Sequence, residues 1–122
     1  MKTQTVKLRM DNKLIALFKK WNEAWNKNDA AAVFECFHDD FEFKFHSSGN
    51  VMKKSDMSVE MMTKMMQNET ATNQRCIYEN DDICVLHQFS EFASGDKEAV
   101  MMVSLKKDGL LWRTETGATP LK

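Results

Sequence analysis

The stretch FKKWNEAWNKNDAAAVFECFHDDFEFKF, Phe18 to Phe45, decides the fold, because its apolar spacing passes from that of a helix to that of a strand within one segment. Leu14, Leu17, Phe18, Trp21, Ala24 and Trp25 recur three and four residues apart, which puts them on one helical stripe that must be covered. Asn28 and Asp29 break that helix, and Asp29 is placed to accept a hydrogen bond from an early amide of a second helix with the face Ala30, Val33, Phe34 and Phe37. From Phe41 the period drops to two. Phe41, Phe43 and Phe45 then share one side and Glu42, Lys44 and His46 the other, the pattern of a half-buried strand.

Working outward, residues 1–10 read as an arm, and Asp11 as a cap near the start of the first helix. Downstream, Ser47, Ser48, Gly49 and Asn50 supply loop chemistry, and Ser55 or Asp56 is expected to cap a third helix reaching about Gln67. Its methionines, Met57, Met61, Met62, Met65 and Met66, read first as flexible core fillers and second as the wall of a pocket. After Thr72 the chain offers β-branched and aromatic runs separated at Asn80-Asp81, Ser94-Gly95-Asp96 and Asp108-Gly109, which predicts an antiparallel meander.

Two-residue turns at Asn80-Asp81 and Asp108-Gly109, with a four-residue loop at Ser94 to Lys97, let side-chain parity be carried through the meander. Ile77, Cys84, Leu86, Gln88, Ser90, Phe92, Ala99, Met101, Val103, Leu105, Trp112, Thr114 and Thr116 fall on the face toward the helices. Gln74, Tyr78, Val85, His87, Phe89, Glu91, Val100, Met102, Ser104, Arg113 and Glu115 fall on the face toward solvent or a partner subunit. The expected architecture is α+β: a cone-shaped, curved antiparallel sheet wrapped around a long N-terminal helix, with two further helices.

A chain of 122 residues is of single-domain size, so residues 1–122 are expected to form one domain that buries roughly two-thirds of its extended surface. Its 17 Lys plus Arg against 18 Asp plus Glu give no global positive field, which argues against nucleic acid or an anionic membrane as partner. Cys36, Cys76 and Cys84 show no CxxC pair and no zinc-ligand spacing, so reduced thiols and a cytoplasmic location are expected. MKTQTVKLRM lacks the apolar run of a signal peptide, and nothing approaches the ~20 apolar residues of a membrane helix. No cofactor or metal is implied.

The order helix, ND turn, helix, aromatic strand, Gly loop, helix and four-strand meander ending in DGLLWRTET resembles the nuclear-transport-factor-two-like superfamily over nearly the whole chain. WNEAWNKNDAAAVFECFHDDFEF and KKDGLLWRTETG are similar to its SnoaL-like and ketosteroid-isomerase-like branches. The resemblance implies a cone whose open end admits a small, largely apolar molecule, and a homodimer packed through the outer sheet face. Carried over through the ND turn, the isomerase general base falls on Phe45; through the DG turn, its oxyanion-hole acid falls on Met101. The two tyrosine positions fall on Trp21 and Phe37. With all four apolar, isomerisation by that mechanism is not expected, while an apolar cavity is retained.

Among the remaining candidates, His46 has the side chain for proton transfer near neutral pH, although alternation turns it outward with Glu42 and Lys44. His38, Asp39 and Asp40 could offer metal ligands, but a helix-end histidine and a turn explain them more simply. The reading that follows is a small-molecule-binding protein whose pocket is formed by Trp21, Trp25, Phe37, Phe45, Met61, Leu86, Gln88, Ser90, Met101, Val103, Trp112 and Thr114. His87, Phe89, Met102, Arg113 and Glu115 are expected on the dimer face. The alternatives are an isomerase, cyclase or hydrolase using His46 or Asp40, and a structural or regulatory homodimer module.

Overall fold

The computed structural model describes residues 16–46 and 48–122; the expected arm, the Asp11 cap, Leu14 and Ser47 lie outside them. The first helix, α1 (Ala16–Asn26), buries Leu17, Trp21, Ala24 and Trp25 on one stripe. Asn28 ends it by entering the left-handed region at φ 52°. Asp29 then caps α2 (Ala30–Glu35), its Oδ1 accepting from the Ala32 amide at 3.1 Å.

β1 (Phe37–Phe45) begins four residues earlier than the alternation suggested, so Phe37 belongs to the strand rather than to the face of α2. A bulge explains the missed start. While β1 advances from Phe37 to Glu42, its neighbour advances only from Leu111 to Arg113. The intervening His38, Asp39 and Asp40 are thereby displaced, and Phe37 stacks directly on Phe41 with ring centroids 4.3 Å apart. His38 through Asp40 are strand residues, neither a helix terminus nor a simple turn.

A short β2 (Val51–Lys53) and a 3-10 turn (Lys54–Asp56) follow, so Ser55 and Asp56 do not cap the third helix. Ser58 does, accepting from the Met61 amide at the start of α3 (Val59–Asn68). The meander is β3 (Glu69–Glu79), β4 (Ile83–Phe92), β5 (Lys97–Lys107) and β6 (Leu110–Pro120). The strands form one curved, unclosed sheet in the order β2-β1-β6-β5-β4-β3, with β1 and β6 parallel and the other pairs antiparallel. The helices and the inner sheet face share a core that includes Leu17, Val33, Phe37, Phe41, Met62, Leu86 and Leu111.

The register corrects the parity of β5. Phe92 pairs with Asp96 around a three-residue loop in which Gly95 takes φ 93°, not a four-residue one. One residue fewer turns the whole strand over: Val100, Met102 and Ser104 face inward, and Ala99, Met101, Val103 and Leu105 face outward. A second slip, at the bulge between Leu105 and Lys106, restores the expected parity for Thr114 and Thr116 on β6.

Helix and sheet are pinned together by a buried ion pair. Glu79, whose side chain is fully buried, accepts from the amides of Leu17 and Phe18 at 3.2 and 3.1 Å and from Lys106 Nζ at 2.5 Å. The carboxylate thus satisfies amides at the start of α1 while β5 supplies its counter-ion. Replacing Lys106 by Met leaves that charge without its partner and is expected to cost about 3–5 kcal/mol in urea denaturation. A loss below about 1 kcal/mol would show that the pair is dispensable.

Candidate functional site

Between α1, α3 and the inner sheet face lies a cavity of about 800 Å³. Its inner wall is aromatic: Trp25, Trp21, Phe37 and Phe41 are buried, and each touches the next in that order with ring centroids 4.3–6.0 Å apart. Phe43 and Phe45 continue the ladder with centroids 4.6 Å apart toward a rim where Phe45, His46, Ala118 and Pro120 are exposed. Met52, Met57, Met62, Met65 and Met102 complete much of the apolar lining. Such side chains adapt to irregular apolar shapes at little cost.

One polar cluster interrupts this surface. Glu69, at the junction of α3 and β3, accepts a hydrogen bond from Ser90 Oγ at 2.8 Å and a longer one from Gln88 Nε2 at 3.3 Å. Gln88 also donates to Ser90 Oγ at 3.0 Å and accepts from Gln74 Nε2 at 2.9 Å. Ser90 and Gln88 are buried, so the cluster is fixed rather than solvated. Burial raises the Glu69 pKa above the ordinary carboxylate value; the Ser90 hydrogen bond opposes the rise and the negative charge of Glu98 adds to it. Glu98, beside Ser90 in the β4–β5 register, lines the same cavity.

The residues anticipated from sequence divide between the cavity and other places. Trp21, Trp25, Phe37, Phe45, Gln88, Ser90 and Thr114 line it. Leu86 is buried in the core beneath it. Met61 is 39% exposed, because α3 turns Met62 and Met66 inward instead. Met101 and Val103 lie on the outer face of β5, and Met102, expected on the dimer face, lines the cavity. The position matched to the isomerase's oxyanion acid therefore points away from the site. Trp112 sits outside the cavity, with the Arg113 guanidinium 4.3 Å and Lys107 Nζ 5.4 Å from its ring centre.

His87 and Phe89 occupy the outer face of β4 with rings 5.2 Å apart. Arg113 and Glu115 are engaged with Glu42 at 3.4 Å and His46 at 3.5 Å. His46 does reach the cavity rim, contrary to strict alternation, but it is 55% exposed. Asp40 does not line the cavity and is 69% exposed. His38 Nδ1 accepts from the Asp40 amide at 3.0 Å while Nε2 faces Asp108 at 3.2 Å, and Asp39 pairs with Lys54, so these three residues do not converge as metal ligands.

Cys76, Glu79 and Cys84 do bring two thiols and a carboxylate within 4.8 Å of one another. Glu79 is already bound to Lys106 and to two amides, which makes the group a part of the core. Cys36, Cys76 and Cys84 are all unpaired; burial pushes Cys36 up to about 11 and Cys84 up to about 12, far from a reactive thiolate.

The carboxylates of the cavity, Glu69 and Glu98, were the residues sequence reasoning missed. Glu69 reads as the end of a helix and Glu98 falls inward only once the three-residue loop is known.

A curved, unclosed sheet packed against an N-terminal helix and two further helices, with a cavity between the layers, defines the nuclear-transport-factor-two-like α+β fold. Residues 18–114 match the SnoaL-like domain, and the chain belongs to that family. It is similar in structure to a candidate ketosteroid isomerase from Kribbella flavida DSM 17836, with TM-score 0.68 and 12% identity over 88% of this chain and 78% of that one. An NTF2-like protein of unknown function from Cytophaga hutchinsonii ATCC 33406 gives 0.65 and 13% over 84% and 87%. Wild-type IdmH from Streptomyces antibioticus, described as a candidate polyketide cyclase, gives 0.63 and 16% over 84% and 89%. No curated protein sequence matches the chain.

The environment of Glu69 sets a pH signature. A carboxyl with a raised folded-state pKa holds its proton where the unfolded chain has released it, so it lowers stability as pH rises from the ordinary carboxylate range through the raised value. Glu69→Gln removes that decline. The variant should gain stability relative to the parent between acidic and neutral pH, read from urea unfolding across a pH series; a relative loss over that interval contradicts the assignment.

Proposed function

We propose that the protein binds a small, largely apolar molecule in this cavity and acts as a homodimer. The observation that carries the reading is the pairing of an extended aromatic and methionine wall with one fixed polar cluster, Glu69, Ser90 and Gln88. Apolar walls supply affinity through burial, at about 25 cal/mol per Å² removed from water, and a few convergent polar groups set orientation. The ligand-facing residues are Trp21, Trp25, Phe37, Phe45, Gln88, Ser90 and Thr114 together with Glu69, Val100 and Met102. Nucleic acid and membrane are not the partners of such a site. No described helix is long and apolar enough to cross a membrane. A cytoplasmic setting suits three buried or half-buried unpaired thiols.

A thermal-shift screen with steroids, aromatic polyketides and fatty acids is expected to raise Tm for at least one class, since a ligand at 100 times its Kd stabilises by about 2.7 kcal/mol. Val100→Trp, which fills the cavity from β5, is expected to abolish that response. If neither these classes nor hydrophobic amines shift the unfolding temperature, the binding reading fails.

The dimer reading rests on the outer sheet face, where Tyr78, Phe89, Met101, Val103 and Leu105 are exposed. These side chains come from β3, β4 and β5, and the register brings Tyr78, Val85 and Val103 into one row across the sheet. A second copy of the same face would cover them. Val103→Glu places a charge at the β5 end of that row and should convert dimer to monomer in native mass spectrometry. A wild-type chain that is monomeric at micromolar concentration would refute the dimer.

The catalytic alternative, an isomerase, cyclase or hydrolase, keeps one observation in its favour. The imidazole of His46 lines the rim and has Glu115 3.5 Å from Nε2, an arrangement able to orient a proton-transfer group.

A further inference from the structure

Among the described residues, the ionisable side chains lining the cavity are two carboxylates, Glu69 and Glu98, and one imidazole, His46, which faces Glu115 outside it. Glu69 uses Oε2 for both of its cavity hydrogen bonds, from Ser90 and Gln88. Ser90 pairs across the strands with Glu98, so both carboxylates belong to the same end of the hollow. The negative charge of Glu98 adds to the burial that disfavours a charged Glu69, and neither carboxylate receives a Lys or Arg from the described residues of the lining. A cation delivered by the occupant would compensate the Glu69 carboxylate.

A second observation points independently to an occupant with polar groups. Trp21 and Trp25 line the cavity, are only 6% and 8% exposed, and carry Nε1 donors with no acceptor among the described residues. Buried donors of this kind cost free energy unless something accepts from them. Trp21 packs on Phe37, which is level with Leu111 and Lys106 in the sheet register, whereas Glu69 is level with Phe92 at the opposite end of β4. The polar demands of the cavity therefore sit at its two ends, with aromatic and methionine surface between them. Aromatic faces also attract a cation more strongly than they attract a neutral group.

Resting on the binding function proposed above, we infer that the occupant is a small hydrophobic amine whose ammonium is held by Glu69, with Glu98 adding charge beside it. The ammonium lies against the Glu69 carboxylate and the apolar body runs along Phe45, Phe43 and Phe41 toward the indoles. An anionic ligand is rejected by the same pair of carboxylates. Neutral ligands of equal shape keep the apolar contacts and lose the ion pair.

Three fluorescent probes with one ring system separate these outcomes: 9-anthracenylmethylamine, 9-anthracenylmethanol and 9-anthracenecarboxylic acid, titrated into the full chain at neutral pH. The expected result is at least tenfold tighter binding of the amine than of the alcohol, with the acid weakest. Glu69→Gln should remove the amine preference, so that amine and alcohol bind within twofold of each other, whereas a merely distorted pocket would weaken both and keep the preference. Should that variant fail to fold, Glu98→Gln is expected to reduce the same preference. Equal or tighter binding of the alcohol by the wild-type chain overturns the amine assignment while the apolar-ligand function stands. Failure of all three probes to bind overturns both.

Discussion

The structure depends on how α1 is held against the inner face of the sheet. An isolated helix of this length is marginal in water, so its indole stripe must be covered for it to persist. Covering is not enough to fix its position, because apolar contact is non-directional. Glu79 supplies the direction. Its carboxylate reaches from β3 to the Leu17 and Phe18 amides and is neutralised by Lys106 from β5, so one buried group ties the helix to two strands. The geometry also separates the two ends of β3: Glu79 is fully buried and paired, and toward Glu69, at the other end of the strand, the layers part around the cavity.

That separation explains why two buried or half-buried glutamates of the same strand have different prospects. Glu79 has a cation and two amides, so its charge is compensated by the protein itself. Glu69 has a hydroxyl and an amide, which are dipoles only, and a second carboxylate in place of a cation. The first is a structural element and the second an unfinished interaction. Low dielectric strengthens both situations, making the satisfied pair rigid and the unsatisfied carboxyl responsive to whatever enters.

Much of the fold was legible because it rests on local rules. The stripe Leu17, Trp21, Ala24 and Trp25, the Asp29 cap and the aromatic alternation of β1 are periodicity and capping written directly in the chain. Where register entered, legibility failed. Counting four residues rather than three around Gly95 inverted β5, exchanging Met101 and Val103 for Val100 and Met102 at the cavity wall. The bulge at Leu105 and Lys106 then cancelled the error, so Thr114 and Thr116 were placed correctly for a reason the sequence did not show. Bulges insert residues without a compositional signal beyond the local turn, which is why parity carried over several strands decays. The bulge in β1 has the same character: it hides the strand's start behind His38, Asp39 and Asp40.

The site was less legible than the fold because its polar group is assembled from separate elements. Gln88 and Ser90 could be assigned inward from alternation within β4, and their need for partners followed from burial. The partner itself is Glu69, which sits where α3 ends and β3 begins, and at such a junction neither helical nor strand periodicity assigns a direction. One regularity does bear on it. Glu69 pairs with Phe92 and Ser90 with Glu98, so the first residues of β3 and of β5 flank the last residues of β4. In a meander whose strands end together, acidic residues at the strand starts are collected at one end of the sheet, however far apart they lie in sequence. The hollow left by the parting of helix and sheet opens at that same end, and this coincidence of topology and packing gives a largely apolar cavity a region of negative charge.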